Sequence, residues 1–195
     1  MNKLLLLSAA IFASINVYGQ GTVNFGNNAA TAVINKVTGA KIAKGNEFTA
    51  QLYFAPDGAV VPGEAAMIPV AGTTGISPIA GLITGGTKTI NGTGGATGTG
   101  GGAAYFQIRI WETAYGSSWD VATRTTLNGR GAIAGESNIF KANTGDPGAF
   151  PPGTPGSLAG PTGLAAFTVD IVPEPSIIGL GLLGAGSLLF LRRRK

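Results

Sequence analysis

Two segments of this chain alternate apolar and polar residues with a period of two, and they limit the fold more than any other feature. In Phe48 to Phe54, the side chains of Phe48, Ala50, Leu52 and Phe54 point one way and those of Thr49, Gln51 and Tyr53 the other. In Ala104 to Trp111, Phe106, Ile108 and Ile110 oppose Tyr105, Gln107, Arg109 and Trp111. Successive side chains of a strand point to opposite faces, so this pattern predicts a sheet with one buried face and one wet face. Val23 and Phe25 within Thr22 to Phe25, and Phe167, Val169 and Ile171 near the other end, repeat the pattern. Shorter candidate strands are Ala32 to Ile34, Met67 to Val70, Lys88 to Ile90 and Asn138 to Ala142. No segment between the two ends sustains a 3.6-residue apolar period, so long helices are not expected there. The predicted fold class is all-β: a single sandwich, immunoglobulin-like or jelly-roll-like, flanked by an N-terminal signal helix and a C-terminal transmembrane helix.

The 33 glycines and the low charge, 11% of residues, fit short strands joined by long loops. Two such loops are expected. Asn91 to Gly102 is almost entirely Gly, Thr and Ala, and Asp146 to Gly163 carries Pro147, Pro151, Pro152, Pro155 and Pro161 and should run extended over the surface.

The formal charge of +4 does not indicate a nucleic-acid partner. Lys3 and the run Arg192, Arg193, Arg194, Lys195 supply five of the thirteen basic residues, all at the two ends. The remaining body is near neutral and has no basic cluster. Cysteine and histidine are both absent, so disulfides, thiolate metal sites and Ser-His or Cys-His nucleophiles are excluded. No metal and no cofactor is expected. Gly179 to Gly184 spells G-x-G-x-x-G, but it lies inside an apolar stretch with no acidic residue about twenty positions on, so it is not a dinucleotide site. Asp57, Glu64, Glu112, Asp120, Glu136 and Asp146 are scattered; a glycosidase would need two of them to meet roughly 5–10 Å apart. The expectation is that the chain is not an enzyme.

The two ends read as targeting segments. Lys3 precedes an apolar run from Leu4 to about Ile15, and Val17-Tyr18-Gly19 places short residues at the −3 and −1 positions of a signal-peptidase site. Cleavage between Gly19 and Gln20 would leave Gln20 as the mature start. At the other end, Val172-Pro173-Glu174-Pro175 interrupts a strand, Ile177 to Leu191 is apolar or small throughout, and the basic run follows. Fifteen helical residues span roughly 22 Å, against about 30 Å of bilayer hydrocarbon. Such a tail is short for a permanent anchor, yet its basic end can be held on the cytoplasmic side.

This order of elements resembles the PEP-CTERM sorting signal of exported proteins in Gram-negative bacteria. Pro173, Glu174 and Pro175 match the motif and Arg192, Arg193 and Arg194 its basic end. The resemblance implies recognition by an exosortase, a membrane protease-transpeptidase, after export through the Sec machinery. It also implies transient anchoring in the inner membrane, then transfer of the body to the cell surface or extracellular matrix. The opening Gly21-Thr-Val-Asn-Phe25 is similar to the first strand of small sandwich-type members. The expected divisions are therefore 1–19 signal peptide, 20–171 sandwich body and 172–195 sorting signal.

Three readings of the body stay open: a non-enzymatic surface or matrix protein, a glycan-binding module, and an unrecognised hydrolase. The glycan reading rests on Tyr105 and Trp111, placed on the polar side of their strand, with Tyr115 and Trp119 following. Aromatic rings stack on sugar faces, and an exopolysaccharide would be the partner.

Overall fold

The computed structural model describes residues 20–58, 60–91, 101–159 and 163–173. The expected signal helix, the expected transmembrane helix and most of the Asn91 to Gly102 loop lie outside these residues. Among the described residues no helix is long and apolar enough to cross a membrane.

Thirteen strands follow in order: β1 Gln20–Gly26, β2 Ile34–Asn35, β3 Gly45–Pro56, β4 Ile68–Pro69, β5 Thr74–Ile76, β6 Thr84–Asn91, β7 Ala103–Glu112, β8 Thr126–Leu127, β9 Arg130–Gly131, β10 Ile133–Glu136, β11 Phe140–Asn143, β12 Gly156–Ser157 and β13 Thr168–Ile171. The longest helix described is one turn, Trp119–Ala122. The described residues are mostly β, as the alternation predicts.

The strands form a large sheet in the order β2-β13-β10-β7-β3-β4, a three-stranded sheet β12-β1-β6 and the small hairpin β8-β9. The two strongly alternating segments are the centre of the large sheet. β3 and β7 pair antiparallel from Phe48↔Glu112 to Pro56↔Ala104. The other edge of β7 is shared by β10 and β11. Ser137 closes the gap between those two: its N–H donates to the Ile108 carbonyl at 2.9 Å, and its Oγ accepts from the Ile108 N–H at 2.9 Å.

The core lies between the two sheets. Val23 and Phe25 of β1 and Ile90 of β6 pack in one cluster with Phe48, Ala50, Leu52 and Phe54 of β3 and with Ala104, Phe106, Ile108 and Ile110 of β7. Face-to-face packing through alternate residues makes the architecture sandwich-like.

Two expectations are corrected. First, the outer face of the large sheet is not wet. The segment around the 3-10 turn Glu64–Ala66 and the segment from the 3-10 turn Thr113–Tyr115 through the one-turn helix cover it. Two further apolar clusters result, one around Trp111, Tyr115, Ala122, Ala132 and Ala134, the other around Tyr53, Ala55, Met67 and Tyr105. These covers are too short to show a helical period, so the sequence gives no sign of them.

Second, the Pro-rich stretch from Asp146 does not simply run over the surface. Within it β12 pairs in parallel with β1, Val23↔Gly156 and Asn24↔Ser157, and the next residue, Leu158, is fully buried in the main core. Replacing Leu158 by Ala should therefore cost about 2–5 kcal/mol in denaturant unfolding. Phe150, fully exposed in the same stretch, should tolerate Ala within about 0.5 kcal/mol. Equal effects at the two positions would contradict this placement.

Candidate functional site

The body closes at both ends on strand pairing. β1 begins at Gln20, opposite Asn91 of β6. At the other end β13 is held between β10, Ile133↔Ile171, and β2, Val169↔Asn35. The pairing continues one residue further, because the Val172 N–H donates to the Ala132 carbonyl at 2.8 Å. Val172 also packs, half-buried, against the Trp111 cluster. Gly131 lies directly beneath its carbonyl oxygen, where a Cβ would collide with it. Pro173 is exposed. Val172 is thus held by the sheet, and the exposed Pro173 of the motif follows it directly. Of the predicted sorting residues, Glu174, Pro175, Arg192, Arg193, Arg194 and Lys195 lie outside the described residues, as does Gly19 of the cleavage site.

The aromatic strip is brought together, but it is covered. Trp111 is 0% exposed and Tyr105 only 9%. The Trp111 Nε1–H donates to the Gly116 carbonyl at 2.8 Å, and the rings of Trp111 and Trp119 meet edge to face with centroids 6.4 Å apart. Tyr115 is buried in the same cluster and Trp119 is half-buried against it. Of the expected glycan contact at Tyr105, Trp111 and Trp119, the first two rings are buried as the floor on which the outer cover rests, and Trp119 is half-buried within that cover.

Three of the six candidate carboxylates, Asp57, Glu112 and Glu136, meet cations. Asp57 meets Lys141 at 2.8 Å and Glu112 meets Arg130 at 2.8 Å. Asp146 organises its own loop, accepting from the Gly148 N–H at 2.8 Å. Arg109 draws Glu136 and Glu64 to one place: it lies 3.3 Å from the Glu136 carboxylate and donates to the Glu64 backbone carbonyl at 3.2 Å.

Arg109 is buried on the outer face of β7. Its Nε lies 3.0 Å from Gln107 Oε1 and 3.3 Å from Glu136 Oε2, and an NH2 donates to the Glu64 carbonyl at 3.2 Å. Its guanidinium stacks 4.3 Å from the Tyr53 ring centre and 5.5 Å from that of Trp119. Arg109 thus fastens both parts of the outer cover to the sheet, using a planar group that can bond in its plane and stack on its faces.

A shallow cleft of about 440 Å³ lies elsewhere, lined by Thr49, Thr73, Thr113, Ala114, Tyr115, Gly116 and Ser117. The Glu64–Glu136 pair does not line it. Among the described residues no group of three or more acidic residues could hold a metal ion.

The Glu136 carboxyl titrates above the ordinary glutamate value, first because burial disfavours its charge and then because Glu64 repels it, with Arg109 opposing both. A raised carboxyl pKa means that stability is fully present below the ordinary glutamate range, and is lost as pH rises through the folded-state value. Replacing Glu136 by Gln should remove that part of the pH dependence. Denaturant midpoints measured from about pH 4 to pH 7 should then fall less in the variant than in the wild type. Parallel curves would contradict the partial burial of this carboxyl.

Residues 172–195 match the family model described as the PEP-CTERM protein-sorting motif. No curated protein and no solved structure matches the chain. The chain carries a PEP-CTERM protein-sorting motif, and that motif begins at the residue immediately after the last strand of the folded body.

Proposed function

We propose that the chain is a non-enzymatic exported protein, delivered to the cell surface or extracellular matrix through exosortase-dependent processing of its sorting motif. Residues 1–19 act as the Sec signal peptide, 20–171 form the cargo body, and 172–195 form the sorting signal. The observation that carries the reading is the family match over 172–195 at the point where the chain leaves the fold. Val172 pairs with the sheet through its N–H, and Pro173 directly after it has no N–H to donate to a ladder. Proline at 173 and 175 also disfavours helix at the residue before each. A protease needs an extended backbone whose amides are not already paired. The tail from Ile177 to Leu191 holds the body at the inner membrane until cleavage, with the basic run on the cytoplasmic side. No nucleic acid, metal or cofactor enters this account.

The test is to follow the protein in cells with and without the exosortase. With the enzyme, the body should leave the inner membrane and reach the surface fraction. An equal surface yield in both strains would overturn the reading.

A further inference from the structure

The end of the sandwich from which the chain leaves has a composition suited to a particular neighbour. β13 and β2 run parallel, so the turn after β2 lies at the same end as Val172. Lys36 donates its N–H to the Val169 carbonyl at 2.9 Å, and the next residue, Val37, is 55% exposed. β10 runs antiparallel to β13, so moving back from Ile133 to Arg130 follows the direction of the departing chain. The β8–β9 hairpin therefore extends past Val172 on the exit side. Its two-residue tip is Asn128-Gly129, both with positive φ, 53° and 72°, the geometry of a tight hairpin turn. Leu127, paired with Arg130 beside that tip, is 39% exposed, and so is Ile171.

Three apolar side chains, Val37, Leu127 and Ile171, thus stand out around the exit point. Two of the nearby cations are paired, Lys36 with Asp170 at 2.7 Å and Arg130 with Glu112 at 2.8 Å. Chain length sets what this end must meet. Four residues separate Val172, fixed in the body, from Ile177, the first residue of the apolar tail, and the five steps between them reach about 17 Å fully extended. The headgroup layer on one side of a bilayer takes up about 5–8 Å of that reach. A body so tethered faces the lipid surface at a high effective concentration, so even a weak attraction keeps it there.

We propose that this end of the sandwich, the β8–β9 hairpin tip with the turn after β2, rests on the bilayer surface while the tail is inserted. Val37 and Leu127 enter the interfacial layer. This rests on the reading of Ile177 to Leu191 as membrane-inserted. The contact presents the body in one orientation, with Pro173 at the lipid surface and the Phe150 loop at the far end. β11 leads to that loop from Asn143, opposite Ala103 at the start of β7, so the loop lies a full strand length away. The contact is apolar in character, so it does not require anionic lipid.

The chain has no cysteine, which permits single labels. Leu127→Cys, Val37→Cys, Phe150→Cys and Leu183→Cys variants, each carrying a small fluorophore, would be recovered from membranes of cells lacking the sorting enzyme. They would then be reconstituted in phosphatidylcholine vesicles with quenchers at the headgroup and along the acyl chain. Expected is several-fold stronger headgroup-level quenching at 127 and 37 than at 150, with acyl-chain quenching at 183. Equal quenching at 127, 37 and 150, with 183 quenched by the acyl-chain probe, overturns the proposed contact and leaves the membrane tail standing. No lipid quenching at 183 overturns the tail reading and the contact with it.

Discussion

Replacing Trp111 by Ala is expected to destabilise the body by about 3–5 kcal/mol, the range for truncating a fully buried large aromatic. Trp111 is wholly inaccessible to solvent at the end of β7, against Tyr115, Ala122, Ala132 and Ala134, with Val172 packed on the same cluster. Truncation empties that site and removes the Nε1–H donor from the Gly116 carbonyl. The unpaired carbonyl adds to the cavity cost. The loss should be visible in denaturant midpoint and melting temperature alike. A variant that keeps wild-type stability but loses retention on a polysaccharide column would instead return Trp111 to the surface role expected from alternation. Because Val172 leans on this cluster, loosening it also loosens the chain where the sorting motif begins.

The contrast between β7's two faces explains what could be read from the sequence. Phe106, Ile108 and Ile110 announce the inner face by their period, and the structure places them in the core. Tyr105, Gln107, Arg109 and Trp111 look polar or amphipathic, which suggested a wet outer face, yet all four are buried. They are buried under 3-10 turns and a single helical turn, whose packing is decided by long-range contacts rather than by any local period. The β8–β9 hairpin is a different case. Asn128-Gly129 is a strong local turn signal, but its flanking strands are two residues each, too short for alternation to show. Leu158 escaped for a third reason: a parallel pair such as β12 with β1 is made by chain returning from far away, and the prolines around it point to loop. The sorting motif was legible because it is read as linear chemistry. Proline, glutamate, an apolar run and a basic end need no tertiary contact to be recognised.

The second large effect is expected at that motif. Changing Glu174 to Ala, or Pro173 and Pro175 together to Ala, should abolish processing and leave full-length protein in the inner membrane. The folded body should be unaffected, because the backbone hydrogen bonds described for its last strand are made by residues up to Val172. Equal thermal stability of the variant and wild-type bodies separates a sorting defect from misfolding.

Mass spectrometry of the protein in the surface fraction tests the central claim most directly. Trypsin cuts after Lys141, and the next basic residue is Arg192, so the peptide that begins at Ala142 reports the processed end without ambiguity. The account predicts that this peptide ends at or beside Pro173-Glu174-Pro175, in a protein whose N-terminus is Gln20. Recovery from the surface fraction of a peptide running from Ala142 through Leu191 to Arg192 would contradict it.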